Sequence, residues 1–203
     1  MSGGKESRMN LFTVIAPIYN MLFPKMQERH GKQLVSKLSP LEGSKVLDLG
    51  GGTGKIASQM MASGADVWLL DSSPQMVRQA QSVLPADRVV LGDALSIPFM
   101  ENAFDIITVV DVFHHIRKQK DVLKECHRVL KPYGLICFLE FNPDCFSIRV
   151  LAGIERLLGE PSLFLTPGDL ALMLEDAGFQ EIEADPVSCE YLILAKKPEV
   201  LEV

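Results

Sequence analysis

No apolar run in this chain is long enough to span a bilayer, and the opening Met1-Ser2-Gly3-Gly4-Lys5 lacks the apolar core of a secretion signal. Cysteine is scarce. Cys126, Cys137, Cys145 and Cys189 stand far apart with no C-x-x-C pair, which argues against a disulfide framework. They are expected to be reduced, mostly buried thiols of a cytoplasmic protein. A zinc site has no support either: Cys126 and His127 are adjacent on a predicted helix and point apart, so with His114 and His115 they make no ligand set. Net positive charge is missing, because the total is −6, and nucleic acid is therefore not an expected partner. Repeats and low-complexity tracts are absent.

What remains is an ordinary globular balance, 47% hydrophobic and 23% charged over 203 residues, enough for one well-buried domain. Charge is uneven along it. Residues 1–40 carry six Lys or Arg against Glu6 and Glu28, a balance of +4 that leaves −10 for the rest. Two readings fit: a solvated helix face, or a basic arm that meets an anionic substrate or a membrane surface.

Strand and helix signals alternate from residue 45 onward, which predicts a parallel sheet covered on both faces. Val46 to Leu49 is a strand, and a helix follows over Ile56 to Ser63. Asp66 to Leu70 is a strand ending at Asp71. Ser72-Ser73-Pro74 opens a helix to about Leu84, with serine as the cap and proline in the first turn. Short strand Arg88 to Leu91 precedes the nearly all-apolar strand Phe104 to Val110. Lys118 to Leu130 has helical spacing, and Leu135 to Glu140 is a strand. Residues 142–166 lack clear alternation, apart from an amphipathic stretch from Ile148 to Leu158. Thr166-Pro167-Gly168-Asp169 starts a helix that Gly178 stops. Phe179 to Ala184 and Cys189 to Ala195 form a closing hairpin whose final strand runs against the others. The expected fold is therefore α/β and Rossmann-like: a doubly wound, seven-stranded, mostly parallel sheet with its last strand antiparallel.

The most informative segment is Val46-Leu47-Asp48-Leu49-Gly50-Gly51-Gly52-Thr53-Gly54. A strand breaks into glycines and delivers a turn onto a helix N-terminus, where backbone approaches a ligand closely. Two familiar ligands fail on spacing. A dinucleotide fingerprint needs glycine where Lys55 stands, and a phosphate loop needs Ser or Thr at Ile56 and glycine at Leu49. Three successive strands also end in acids: Asp71, Asp93 and Asp111. Each alone is as readily a turn former. Together they suit an adenosyl amino acid. Asp71, 21 residues past Gly50, has the spacing of a ribose-binding acid. Asp93 is suited to the adenine amino group, and Asp48 with the backbone near Asp111 to an ammonium.

The acid–hydrophobic–Gly-x-Gly-x-Gly pattern resembles the first motif of class I S-adenosylmethionine-dependent methyltransferases. The resemblance covers roughly residues 10 to 197. It includes Gly92-Asp93-Ala94 with Ile97-Pro98-Phe99, Phe104-Asp105, Asp111-Val112-Phe113-His114-His115, and Arg128-Val129-Leu130-Lys131-Pro132-Tyr133-Gly134. In the last of these Tyr133 replaces a usual glycine. The resemblance implies that Asp48, Gly50 and Gly52 line the methionine end of S-adenosylmethionine, Asp71 and Ser72 the ribose, Met76 the adenine face, and Asp93 and Ala94 its edge. It also implies His115 as the candidate base, with Tyr19 as partner; the structural reading of His114 and His115 is hydrogen bonding at the sheet end.

Leu11 to Asn20 resembles the lid entry of the ubiquinone/menaquinone-biosynthesis C-methyltransferases, and Glu140-Phe141 agrees with that group. The end of the fourth strand departs from it. A single domain over 1–203 is expected, with a helical lid at 10–38, a cofactor core at 45–140, a substrate-side insertion at 142–166 and a closing helix and hairpin at 167–197. The expected activity is methyl transfer to a small, apolar or amphipathic acceptor, with membrane contact at most peripheral. Alternatives are methylation of a quinone precursor at a membrane surface, or a catalytically silent cofactor-binding scaffold. An NAD-dependent oxidoreductase is disfavoured by Lys55 and the strand-end acids.

Overall fold

The computed structural model describes residues 24–157 and 162–199. Tyr19, with the rest of the expected lid before residue 24, lies outside them. Helix α1 (Pro24–Leu38) leads into β1 (Lys45–Leu49), the glycine turn and α2 (Lys55–Ala62). Then come β2 (Asp66–Asp71), α3 (Pro74–Ala80), β3 (Val89–Leu91) and β4 (Phe104–Val110). Helix α4 (Gln119–Val129) and β5 (Leu130–Phe141) follow, and α5 (Phe146–Leu157) occupies the insertion. Helix α6 (Pro167–Asp176) and the hairpin β6 (Gln180–Val187) and β7 (Glu190–Lys196) close the fold.

The strand order is β3-β2-β1-β4-β5-β7-β6. Only β7 is antiparallel to its neighbours. The sheet is the doubly wound α/β arrangement that the sequence predicts, and both of its faces are buried. On one, Leu47, Leu49, Ile107 and Val109 meet Val122, Leu123 and Cys126 of α4 and Leu170 and Leu174 of α6. On the other, Val46 and Ile106 meet Leu34 of α1, Met60 of α2 and Val77 of α3. Two buried faces explain why strands such as 104–110 read as continuous apolar runs. Each fully buried large side chain contributes about 1.5–3 kcal/mol. Among the described residues, no helix is long and apolar enough to cross a membrane.

The helix starts follow from capping. Ser73 Oγ accepts the Met76 N–H at 3.3 Å ahead of Pro74, and Thr166 and Asp169 form a reciprocal capping box. Helix α3 stops at Ala80 rather than near Leu84. Pro85 disfavours helical geometry at the preceding residue, and the chain tightens through Val83 N–H to Ala80 C=O at 3.0 Å. Strand β5 begins at Leu130, five residues earlier than expected. Phe104 pairs with Leu130 and, after a register shift, Ile106 with Leu135.

One expectation is overturned. Cys145 and Cys189 are joined in a disulfide, whereas Cys126 and Cys137 remain buried thiols. Antiparallel β5 and β7 set Phe141 opposite Glu190, and Asn142 N–H donates to Cys189 C=O at 2.9 Å. That pairing brings together two cysteines 44 positions apart, a separation that leaves no local sequence signal.

Candidate functional site

The chain steps from β1 to β2 and β3 in one direction and from β4 to β5 in the other. A crevice therefore opens at the carboxyl ends of β1 and β4, where the order reverses. A cavity of about 480 Å³ lies there. Its walls include Asp48, Gly50, Gly52, Asp71, Ser72, Met76, Asp93, Ala94, Asp111 and His115, every predicted site residue that the structure describes.

The glycine turn shapes the floor. A Cβ on Gly51 would sit 2.6 Å from Asp48 Oδ2, so only glycine lets the turn pass over that carboxylate. Gly52, at φ +56°, has nothing but the Gly50 carbonyl oxygen within 4.0 Å of where its Cβ would stand. The turn thus presents bare backbone to open space.

The acids hold distinct positions. Asp48 is buried and pairs in register with Thr108 on β4, whose hydroxyl donates to Oδ1 at 2.8 Å. Burial raises its carboxyl from 3.8 to about 7, against the Thr108 hydrogen bond and with the charge of Asp71 adding to the rise. Asp71 accepts the Gly52 N–H at 2.9 Å on one oxygen and the Ser73 N–H at 2.8 Å on the other. It clasps the glycine turn to the start of α3, and each oxygen keeps a further lone pair. Asp93 stands exposed at the rim, its Oδ1 accepting the Leu95 N–H at 2.9 Å. Asp111 ends β4 at φ +49°, with its N–H donating to Leu139 C=O at 2.9 Å.

Sequence reasoning missed the groups around Asp111. His30 of α1 is 1% exposed; its Nδ1 lies 3.1 Å from Asp111 Oδ2 and its Nε2 3.1 Å from Glu190 Oε1. Arg29 Nη2 reaches both Glu190 oxygens at 2.7 Å. The participating positions are up to 161 residues apart, and nothing local connects them. Two other α1 lysines are paired as well, Lys32 with Glu28 and Lys37 with Asp185. Much of the positive charge of α1 is therefore matched within the fold.

Glu140 at the end of β5 organises the loop after β4. Its Oε1 accepts the Val112 and Phe113 N–H groups at 2.9 and 2.7 Å, and its Oε2 lies 2.6 Å from His114 Nδ1. His114 is buried and stacked on Phe164 with ring centroids 4.2 Å apart. His115 lines the cavity, and burial, with the neighbouring His114, lowers it to about 3. It is thus a neutral imidazole through the ordinary pH range rather than one poised near 6.5.

No described residue of 142–166 lines the cavity. The insertion acts one layer back: Phe164 stacks on His114, and Leu163 N–H donates to His114 C=O at 2.7 Å. Arg128 has a similar indirect role. It donates to the carbonyls of Phe99 and Ile97, both at 2.9 Å, and so holds the loop following Asp93 and Ala94.

Among the described residues, three buried oxygens lack a hydrogen-bond partner: Gln27 Oε1, Asp48 Oδ2 and Asp111 Oδ1. All three residues line the cavity. Buried acceptors without donors call for a ligand that brings N–H groups and positive charge. A ligand ammonium is a group of that kind, and the bare glycine turn leaves open space beside it.

Comparison with known proteins agrees with this chemistry. A family described as a methyltransferase domain matches residues 47–138. A demethylmenaquinone methyltransferase of Thermotoga maritima is 36% identical across 91% of this chain and 93% of its own length. A ubiquinone/menaquinone-biosynthesis C-methyltransferase of Cupriavidus metallidurans is 33% identical across 70% of this chain and 69% of its own. Among solved structures, an S-adenosylmethionine-dependent methyltransferase from Archaeoglobus fulgidus superposes with a TM-score of 0.75 at 16% identity, over 89% of this chain and 98% of that one. A Haemonchus contortus phosphoethanolamine N-methyltransferase, solved with S-adenosylhomocysteine, gives 0.77 at 16% identity, over 96% of this chain and 60% of its own.

Proposed function

The chain belongs to the class I S-adenosylmethionine-dependent methyltransferases, and we propose that its acceptor is a small, apolar or amphipathic molecule, methylated by in-line displacement. S-adenosylmethionine supplies a methyl group already activated on a sulfonium: as the acceptor bonds to that carbon, the C–S bond breaks and S-adenosylhomocysteine keeps the electron pair.

The observation that carries the assignment of residues is the set of unpartnered acceptors beside the glycine turn. In this reading Asp48 and Gln27, with the backbone near Asp111, take the ammonium, and Gly50 and Gly52 border the methionine chain. Asp71 spends its remaining lone pairs on the ribose hydroxyls beside Ser72. Met76 covers the adenine face, and Asp93 and Ala94 meet its edge. Aligning donor and acceptor is the main work left to the protein, and alignment can lower a barrier by about 7–11 kcal/mol. His115, with Tyr19, is the pair we assign to the acceptor side. An imidazole lowered to about 3 is suited to orienting the acceptor by a hydrogen bond, and it accepts a proton only weakly.

Apolar side chains on the cavity wall, Ile56, Leu95, Val112 and Ile116, support an apolar acceptor. The Thermotoga relative, matched over nearly its whole length, supports a quinone ring as its specific form. Calorimetric titration with S-adenosylhomocysteine tests the first step. Saturable micromolar binding is expected, weakened by roughly 1–3 kcal/mol in Asp71→Asn. A reduced naphthoquinone and a small amine, assayed in parallel, then discriminate the acceptor. No binding to the folded protein would overturn the assignment of these residues to S-adenosylmethionine, while binding without turnover of either acceptor would favour the silent cofactor-binding scaffold.

A further inference from the structure

We propose that His30 is a positioning residue for methyl transfer, holding Asp111 at the cleft wall and fastening α1 across the carboxyl edge of the sheet to Glu190. This rests on the reading of the cleft as the S-adenosylmethionine site and adds to it a role for α1.

The geometry makes the case. The two ring nitrogens of His30 each face a carboxylate, Asp111 Oδ2 and Glu190 Oε1, both at 3.1 Å. Ionised carboxylates only accept hydrogen bonds, and a neutral imidazole has one donor. A doubly protonated ring donates to both carboxylates at once, whereas a neutral ring would donate to Asp111 alone and accept from Arg29 at Nε2. The ring is 1% exposed, so water does not substitute for either. The charged groups around it are Asp111 just past β4, Glu190 on β7 and Arg29 on its own helix, whose Nη2 lies 3.1 Å from Nε2. Burial pushes the Asp111 carboxyl up, the His30 contact opposes that rise by favouring the ionised form, and the charges of Glu140 on β5 and Glu190 add to it. Although burial opposes the charge, the two carboxylates raise His30 to about 9.

Two consequences bear on the cleft. With Oδ2 held by His30, Asp111 keeps Oδ1 as one of the unpartnered cavity acceptors. The same bridge seats α1, which also contributes Gln27 to the cavity wall and packs on α2 so closely that a Cβ on Gly31 would meet Gln59. The bridge thus couples three separate elements, α1, β4 and β7, at the point where the donor's amino-acid end is read.

The test uses the full chain and measures S-adenosylhomocysteine affinity from pH 6.5 to 10, together with thermal unfolding of the ligand-free protein over the same range. His30→Gln is expected to weaken binding about tenfold or more at pH 7.5. The wild-type unfolding temperature should fall as the pH rises from about 6.5 through about 9, wild-type affinity should fall as the pH passes about 9, and His30→Gln should lose the unfolding dependence. Any alkaline loss of affinity that persists in the variant belongs to the ligand's own amine. Glu190→Gln, which preserves volume, should move the alkaline fall to lower pH. A His30→Gln/Asp111→Asn double variant should lose much less than the sum of the single losses, because His30 acts through Asp111. Wild-type affinity and pH profile in folded His30→Gln, or fully additive losses, would overturn the proposal. Failure of the wild-type chain to bind at all would instead sink the cofactor reading, while the ligand-free unfolding profile would still report on the bridge.

Discussion

Asp48 has a titration that its surroundings make visible. Burial lifts it from 3.8 to about 7, because the ionised form has one oxygen on Thr108 and the other on no described residue. In the ligand-free protein its contribution to stability is complete below about pH 3.8 and is lost as the pH climbs through 7. An ammonium beside it favours the ionised form. S-adenosylhomocysteine affinity should therefore rise between pH 6 and 8, with a proton released on binding in the lower half of that range. Calorimetry in two buffers of different ionisation heat counts that proton, and Asp48→Asn should level the slope. A flat profile in the wild type would place the ammonium elsewhere. The acids were legible from their positions at strand ends, but the double duty of Asp71 was not. Its two backbone hydrogen bonds, to Gly52 and Ser73, depend on how β2 lies against the turn.

At the scale of elements, the loop after β4 depends on a neighbour, not on its own residues. Val112 and Phe113 donate to Glu140 of β5, and His114 leans on the same carboxylate. Hydrogen bonds to a charged group contribute about 1.5–3 kcal/mol each. Glu140→Gln should lower the unfolding free energy in urea by roughly that amount for one bond. It should also weaken S-adenosylhomocysteine binding, because Val112 packs over Gly50. An unchanged midpoint and affinity would mean that the loop holds its shape unaided. Helix starts were readable because a cap is a local device, as at Ser73 and Thr166. The early start of β5 was not, since it follows from pairing with β4. Within that strand Tyr133 sits at φ +63°, where the resembled pattern carries glycine, with its N–H on Lys197 C=O at 2.8 Å. Pairing with the chain end holds a conformation that an L-residue rarely adopts.

For the whole molecule, the disulfide ties the insertion to the hairpin beside Glu190. It closes a loop between positions 44 apart, and such a link contributes about 2–4 kcal/mol. Urea unfolding with and without reductant should show that loss, and Cys189→Ser should show it without reductant. Equal stability in both conditions would mean that β5–β7 pairing alone secures the join.

By itself the sequence determined the order of strands and helices, the doubly wound class, the glycine turn and the acids that end β1's neighbours. Each of these is written in short-range periodicity, in a cap, or in residues a few positions apart. The tertiary structure decided which distant groups share a site: His30 with Asp111 and Glu190, Glu140 with the loop after β4, Cys145 with Cys189. It also decided that Leu163 and Phe164 of the insertion stand behind His114. Those contacts join residues tens of positions apart, up to about 160. The polar contacts among them gain strength from pairing in a low-dielectric interior, which offsets the cost of leaving water and exists only once the sheet has assembled.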